Sequence, residues 1–184
     1  MKKFLLPLLF IAFSFSCKNK YELDQNKKKI LNKEIDSIYD LDQKIRLSFF
    51  ELDSIYQLEK FFHMQSTLKK TQILGSLYEE YQKKIDSMEE DMKSYDYSNT
   101  KRLIDITKKY GFPGEERLGV YKAKAYMIFV HSPREYFEEI TNLINLEYNE
   151  GRINDYQKEY IFWHINGRKS SPPMMGENGI KESN

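Results

Sequence analysis

The chain has 184 residues, of which 40% are hydrophobic and 15% aromatic, and this is enough to build one domain with a substantial core. It carries 29 basic and 28 acidic residues, which gives a formal net charge of +1. Nucleic acid selects a strongly basic surface, so this near neutrality argues against a nucleic-acid partner. A chain with a single cysteine also cannot form an internal disulfide.

The first residues have the pattern of an export signal. Lys2 and Lys3 are followed by an almost uninterrupted apolar run over residues 4–15, and then by Ser16 and Cys17. This order of charge, apolar run and small residue is typical of a signal peptide. A membrane-spanning helix needs roughly 20 apolar residues, so we do not expect this run to be a permanent transmembrane anchor.

Cys17 lies directly after a small residue, and Ser14-Phe15-Ser16-Cys17 resembles the lipobox of bacterial lipoproteins, in which the cysteine is acylated. We predict a signal peptide over residues 1–16 and a lipidated, lysine-rich tether over residues 17–29. Acyl chains on Cys17 would attach the protein to a membrane of the bacterial cell envelope. The absence of an acidic run after Cys17 favours the periplasmic side. The alternative is that Cys17 is only a small hydrophobic residue within a signal that is cut elsewhere.

Residues 30–168 have the periodicity of helices and form the predicted domain. Apolar side chains at three- and four-residue steps, from Ile35 to Phe49, predict a first helix over residues 30–61. The same steps from Leu74 to Met92 predict a second long helix that packs along the first.

Start and stop signals divide the rest of the domain into four shorter helices. The predicted starts are Ser98, Ala123, the capping box from Ser132 to Glu135, and Asn154; the predicted ends are Gly111, Val130, Gly151 and Gly167. No strand-like alternation or internal repeat stands out, so we predict a single compact all-α domain of about six helices. Residues 169–184 are rich in serine, proline, glycine and charged residues and are predicted to form a loose tail.

Five polar residues stand out because they lie at positions where a helix would bury them. Asp42 lies inside the first apolar stripe, Arg46 is one helical turn away, and Gln43 adjoins them. Asn99 lies on the buried side of its helix, and His131 ends an apolar helix. They form either a pocket for anion binding or proton transfer, or a structural network in which His131 caps helix carbonyls. We favour the network because no nucleophile accompanies them.

Other chemistries have no signal in the sequence. There is no His-Glu-x-x-His, cysteine cluster, glycine-rich phosphate loop or Gly-x-Ser-x-Gly motif. The three histidines, His63, His131 and His164, are too scattered to suggest a metal site. We therefore predict neither a metal nor a cofactor.

The polar residues also carry a resemblance to a bacterial family known as domain of unknown function 6624. The matching pieces, spread over residues 38–165, are Asp42-Gln43-x-x-Arg46, Asn99 with Leu103, Gly111-Phe112-Pro113 in place of Gly-Trp-Pro, Gly119 with Ala123, and His131. The resemblance implies a helical domain, frequent in exported proteins, without an established activity. The family's Asp-Arg pair in the last helix is replaced here by Trp163-His164-Ile165-Asn166, which implies that any site completed by that pair is lost.

The sequence supports three functional hypotheses. The leading one is an envelope lipoprotein that binds a protein or small-molecule partner without catalysis. The second is an envelope hydrolase or transferase that uses Asp42, Arg46, Asn99 and His131. The third is a structural spacer in the envelope.

Overall fold

The structure is a computed structural model, and it describes residues 22–56, 67–119 and 124–174. All regular elements in these ranges are helical, so the predicted all-α class is confirmed. The main helices are α1 (Gln25–Tyr56), α2 (Thr67–Tyr110), α3 (Lys124–Val130), α4 (Phe137–Asn149) and α5 (Asp155–Ile165). A single turn of helix, Glu115–Leu118, precedes α3, and a 3₁₀ turn, Arg134–Tyr136, precedes α4.

The count of about six helices was wrong, because the predicted second and third helices are the single 44-residue helix α2. Ser98, predicted as an N-cap, lies inside this helix and donates its hydroxyl to the carbonyl of Tyr95. The inward-facing positions pass through this segment without a break in their three- and four-residue steps: Met92, Asp96, Asn99, Leu103 and Ile106. A continuous stripe of this kind stabilises one uninterrupted helix more than a single serine favours a new start.

Helices α1 and α2 run antiparallel to each other. Glu34 of α1 pairs with Arg102 of α2, and further along α1 Arg46 pairs with Asp96. Helix α1 begins at Gln25, so the last five residues of the predicted tether, 25–29, are helical. Asp24 precedes it and accepts a hydrogen bond from the amide of Lys27 at 2.8 Å, which caps the new helix end.

The core forms where α3 packs against the first half of α1 and the last third of α2, with α4 against α2 and α5 against both α3 and α4. Helix α3 is short and buried along most of its length, as its almost wholly apolar sequence predicts. The fully buried apolar side chains include Leu31, Leu103, Phe112, Phe129, Ile140, Ile144 and Ile161. Each such side chain contributes about 1.5–3 kcal/mol on leaving water, so this layer provides most of the stability.

The ends of the shorter helices show which of the helix-start signals in the sequence were correct. Asn154 caps α5 as predicted, since its side-chain oxygen accepts from the amide of Gln157 at 2.9 Å. The capping box was wrong: the Ser132 hydroxyl donates to the carbonyl of Phe129 at 2.7 Å, and α4 begins only at Phe137. Ser132 therefore satisfies a carbonyl at the end of α3 instead of an amide at the start of α4.

Several predictions fall outside the described residues. They are the signal peptide, Cys17, the first part of the tether, residues 57–61 of the predicted first helix, Ala123 and the end of the tail. Among the helices that the structure describes, none combines the length and the apolar character that a membrane crossing requires.

Candidate functional site

Four of the five predicted polar residues meet at Asp42, which lies on α1 with only 1% of its surface exposed. Arg46 donates to its Oδ1 from Nε at 3.3 Å and from Nη2 at 3.2 Å. Gln43 donates from Nε2 to Oδ2 at 2.7 Å, so it bonds to its neighbour along the chain. His131, at the end of α3, places Nδ1 3.0 Å from both oxygens.

Arg46 extends the constellation to α2. Its Nη2 donates to Asp96, and its Nη1 lies 3.2 Å from the sulfur of Met92. Asp96 was not among the residues predicted from the sequence, although its position was informative. It continues the apolar stripe of α2 between Met92 and Asn99, as Asp42 interrupts the stripe of α1. We call Asp42, Gln43, Arg46, Asp96 and His131 together the Asp42 cluster.

Asn99 lies beside the Asp42 cluster without joining it. Its side chain is buried, and Nδ2 donates to the backbone carbonyl of Ile38 at 3.4 Å, one turn of α1 before Asp42. A backbone carbonyl inside a helix already accepts one bond, so this contact uses its second lone pair. Asn99 thus fixes the register of α2 against α1.

The carbonyls at the end of α3 have other partners than the predicted one, His131. His164 of α5 donates from Nε2 to the carbonyl of Ser132 at 3.2 Å. Arg168 donates from Nη2 to the carbonyl of Val130 at 3.4 Å. This leaves the Nδ1 of His131 directed at Asp42, so the histidine links α3 to α1.

The two carboxylates of the cluster are perturbed in opposite directions. Burial alone would raise the pKa of Asp42, but hydrogen bonds and charge attraction from His131 and Arg46 outweigh it, and the pKa falls below 3.8. Burial raises the pKa of Asp96 above 3.8, and the attraction of Arg46 does not fully offset it. Asp42 is therefore firmly ionised, while Asp96 accepts a proton more readily, and Arg46 lies between them.

The Asp42 cluster links three helices, α1, α2 and α3. Both oxygens of Asp42 are occupied by donors, and these donors come from α1 and from the end of α3, while Arg46 reaches α2. Its outer members are partly accessible: the side chain of Arg46 is 21% exposed, that of Asp96 16% and that of His131 15%. A solute can approach these three residues but not the oxygens of Asp42.

A second buried acid, Glu147, was not predicted. It is 1% exposed on α4 and accepts from the amide of Phe112 at 2.6 Å and from Nε of Arg152 at 2.6 Å. It thus satisfies the buried turn that follows α2, where Gly111 has a φ of +76°. The available signal was the same as for Asp42: an acid seven residues after Ile140, in line with the apolar stripe of α4.

Within the described ranges, no three histidine, cysteine or acidic side chains are grouped so as to hold a metal ion. His131 and His164 lie in that part of the chain and make the protein contacts given above, while His63 lies outside it.

Comparison of the chain with protein-family models, with curated proteins and with solved structures gave no match. The resemblance described from the sequence therefore remains a prediction.

Proposed function

We propose that the protein is a bacterial envelope lipoprotein, anchored through Cys17, whose helical domain is a non-enzymatic binding or interaction module. The anchor is proposed from the apolar run over residues 4–15 and from the position of the single cysteine behind it. The resemblance to domain of unknown function 6624 agrees with this proposal, because that family is frequent among exported proteins and has no established activity.

One observation carries the non-enzymatic part of the proposal: Asp42, the most buried acid of the cluster, has donors on both oxygens. A general base needs a free lone pair within reach of the substrate proton. The lone pairs of Asp42 are instead used by Gln43, Arg46 and His131. This arrangement is typical of a charged structural tie, and a ligand would then bind elsewhere on the domain.

The anchor is tested by expressing the full chain in bacteria fed a labelled fatty acid and analysing the membrane fraction by mass spectrometry. We expect a mature chain that starts at acylated Cys17, and loss of the label in Cys17→Ala. Ser16→Ala is the matched control, because it keeps a small residue before the cysteine and should remain labelled. An unlabelled wild-type chain that starts at another residue would refute the anchor.

An enzyme that uses the cluster is the second candidate, and one observation favours it. The pKa values of Asp42 and Asp96 are displaced in opposite directions across Arg46, a pattern found where one carboxyl group gives a proton and another stays ionised. The partial exposure of Asp96 and His131 would allow such a transfer with a bound substrate.

The two candidate functions predict different relations between the growth of a variant strain and the stability of the variant protein. Cells that lack the protein are complemented with Arg46→Lys, Asp96→Asn or His131→Gln under envelope stress, and the melting temperature of each purified variant is measured. If the domain is a binding module, we expect a variant to reduce growth only when it also lowers the melting temperature. A variant that keeps the wild-type melting temperature and does not support growth would favour the enzyme.

A further inference from the structure

A cleft of about 600 Å³ lies between the start of α4 and the segment that follows α5. Its volume is in the range of small-molecule sites, roughly 300–1,000 Å³. The lining residues that matter here are Arg134, Phe137, His164, Ile165, Arg168 and Lys169. The cleft shares no lining residue with the Asp42 cluster.

The charges around this cleft are all of one sign. Arg134, Arg168 and Lys169 line it, and none of the residues that the structure places in its wall is acidic. In the described part of the chain no carboxylate pairs with these three cations, whereas Arg46 and Arg152 are each held by buried acids. Three neighbouring cations without a counter-charge repel one another, and an anion placed between them removes that repulsion.

Arg168 is held in place by contacts on one side of its guanidinium group. Nε donates to Nδ1 of His164 at 3.2 Å, Nη2 donates to the carbonyl of Val130 at 3.4 Å, and the Trp163 ring lies 5.3 Å away. Both protons of Nη1 and the second proton of Nη2 have no acceptor among the described residues. These free protons form the edge with which arginine binds an oxyanion through two parallel hydrogen bonds.

The backbone conformation of Arg168 and the neutral form of His164 both help to hold the Arg168 guanidinium group in this position. Arg168 has a φ of +56°, a left-handed conformation that costs a residue other than glycine about 1 kcal/mol or more. His164 has to be neutral to accept from Nε of Arg168 at Nδ1 while its Nε2 donates to Ser132. Burial lowers the pKa of His164 below 6.5 and so favours that neutral form.

Helix capping explains only part of the positive charge around the cleft. The amides of Asn166, Gly167 and Arg168 already satisfy the last carbonyls of α5, and the bond to Val130 uses one proton of Arg168. Arg134 is exposed and lies at the other wall of the cleft, where it caps neither α3 nor α5. Phe137 and Ile165 add an apolar surface next to the cations.

We propose that this cleft binds the phosphate of a glycerophosphate-type ligand, with Arg168 and Arg134 contacting its oxygens, Lys169 adding charge, and Phe137 and Ile165 contacting the carbon skeleton. The shared chemistry is a phosphate oxyanion beside a short apolar wall, whether it belongs to an anionic lipid headgroup or to a free phosphate ester. The proposal does not depend on acylation of Cys17, because it concerns residues of the domain alone.

The only tryptophan of the chain, Trp163, lies beside Arg168 and reports on the cleft. The purified full chain in detergent is titrated with glycerol 3-phosphate at constant ionic strength, and the tryptophan fluorescence is recorded. We expect a saturable change that sodium chloride does not produce. Loss of one charge-assisted contact in Arg134→Gln should weaken binding about tenfold or more. Lys101→Gln, which removes a charge from the exposed face of α2, is the matched control and should bind as the wild type.

Arg134→Gln is preferred to a change at Arg168 because the Arg134 side chain is exposed and makes no hydrogen bond or ion pair with a described residue, and the melting temperature of the variant provides the check. A second titration with micelles that contain phosphatidylglycerol or phosphatidylcholine distinguishes the sources. Tighter binding to phosphatidylglycerol than to glycerol 3-phosphate identifies a lipid headgroup, and equal binding identifies a soluble ester. Absence of any saturable phosphate response, or equal weakening by Arg134→Gln and Lys101→Gln, would overturn the proposal.

Discussion

Replacing Asp42 by asparagine should destabilise the protein far more than the same replacement at Asp96. Both changes remove one negative charge and preserve shape, and both residues contact Arg46. They differ in environment, because Asp42 is 1% exposed and receives donors on both oxygens, whereas the Asp96 side chain is 16% exposed. In Asp42→Asn the amide group would also place its own protons against those donors.

The magnitude follows from the cost of breaking a buried ion pair, about 3–5 kcal/mol. Asp96 remains in Asp42→Asn and still compensates the charge of Arg46, so the lower end, about 3 kcal/mol, is expected. For a chain of this length that loss lowers the melting temperature by roughly 6–12 °C. In Asp96→Asn, burial already opposes ionisation, so a loss of about 1 kcal/mol or less is expected.

Thermal unfolding of both variants, followed by circular dichroism at neutral pH, measures the difference. The pH dependence gives a second readout. Because the folded pKa of Asp42 is lowered, its stabilisation is present above 3.8 and is lost as the pH falls through the folded pKa. The gap between wild type and Asp42→Asn should therefore narrow in acid. Equal melting temperatures for the two variants at neutral pH would refute the assignment of Asp42 as the central tie.

Three further predictions concern the rest of the fold. Glu147→Gln should cost about 3 kcal/mol in urea unfolding, since it removes the buried carboxylate that pairs with Arg152 and leaves the exposed Glu150 to compensate the arginine; a loss no larger than that of a surface variant would contradict this. Asn154→Ala should cost about 1 kcal/mol through the lost cap, whereas Ser98→Ala inside α2 should cost almost nothing, and a cost at Ser98 would indicate a helix start there. Because the pKa of His164 is lowered, wild-type stability should fall as the pH drops below 6.5 towards the folded pKa, and the urea midpoint of His164→Gln should change less over that range.

The helical class and most helix ends could be predicted because they depend on local chemistry. The stripe from Ile35 onward, the cap at Asn154 and the glycine after Tyr110 each act within a few residues. The two errors that involve serines, at Ser98 and Ser132, share one cause. A serine near a proposed helix start bonds equally well to a carbonyl three residues before it, and which bond forms depends on the packing around it.

The meeting of Asp42, Arg46 and His131 could be anticipated from burial, because an acid inside an apolar stripe requires partners. The sequence could not indicate that Asp96 shares the arginine, since this depends on the antiparallel register of α1 and α2. Nor could it indicate which histidine reaches the carboxylate and which caps α3. His131 and His164 both lie at helix ends, and only the packing of α5 against α3 separates their roles.

The buried acids of this domain and the cations of the cleft have different environments, and these suggest different roles. The buried acids Asp42 and Glu147 lie where helices or turns meet, and each is surrounded by donors of the same chain. A charge that is fully satisfied inside the fold gains nothing from a ligand, and it fixes how the surrounding segments pack. Arg134, Arg168 and Lys169 are the reverse, since they share one cleft with no acid in its wall. An anionic ligand interacts most favourably with cations that have no counter-charge beside them. Binding is therefore expected at this cleft and not at the Asp42 cluster.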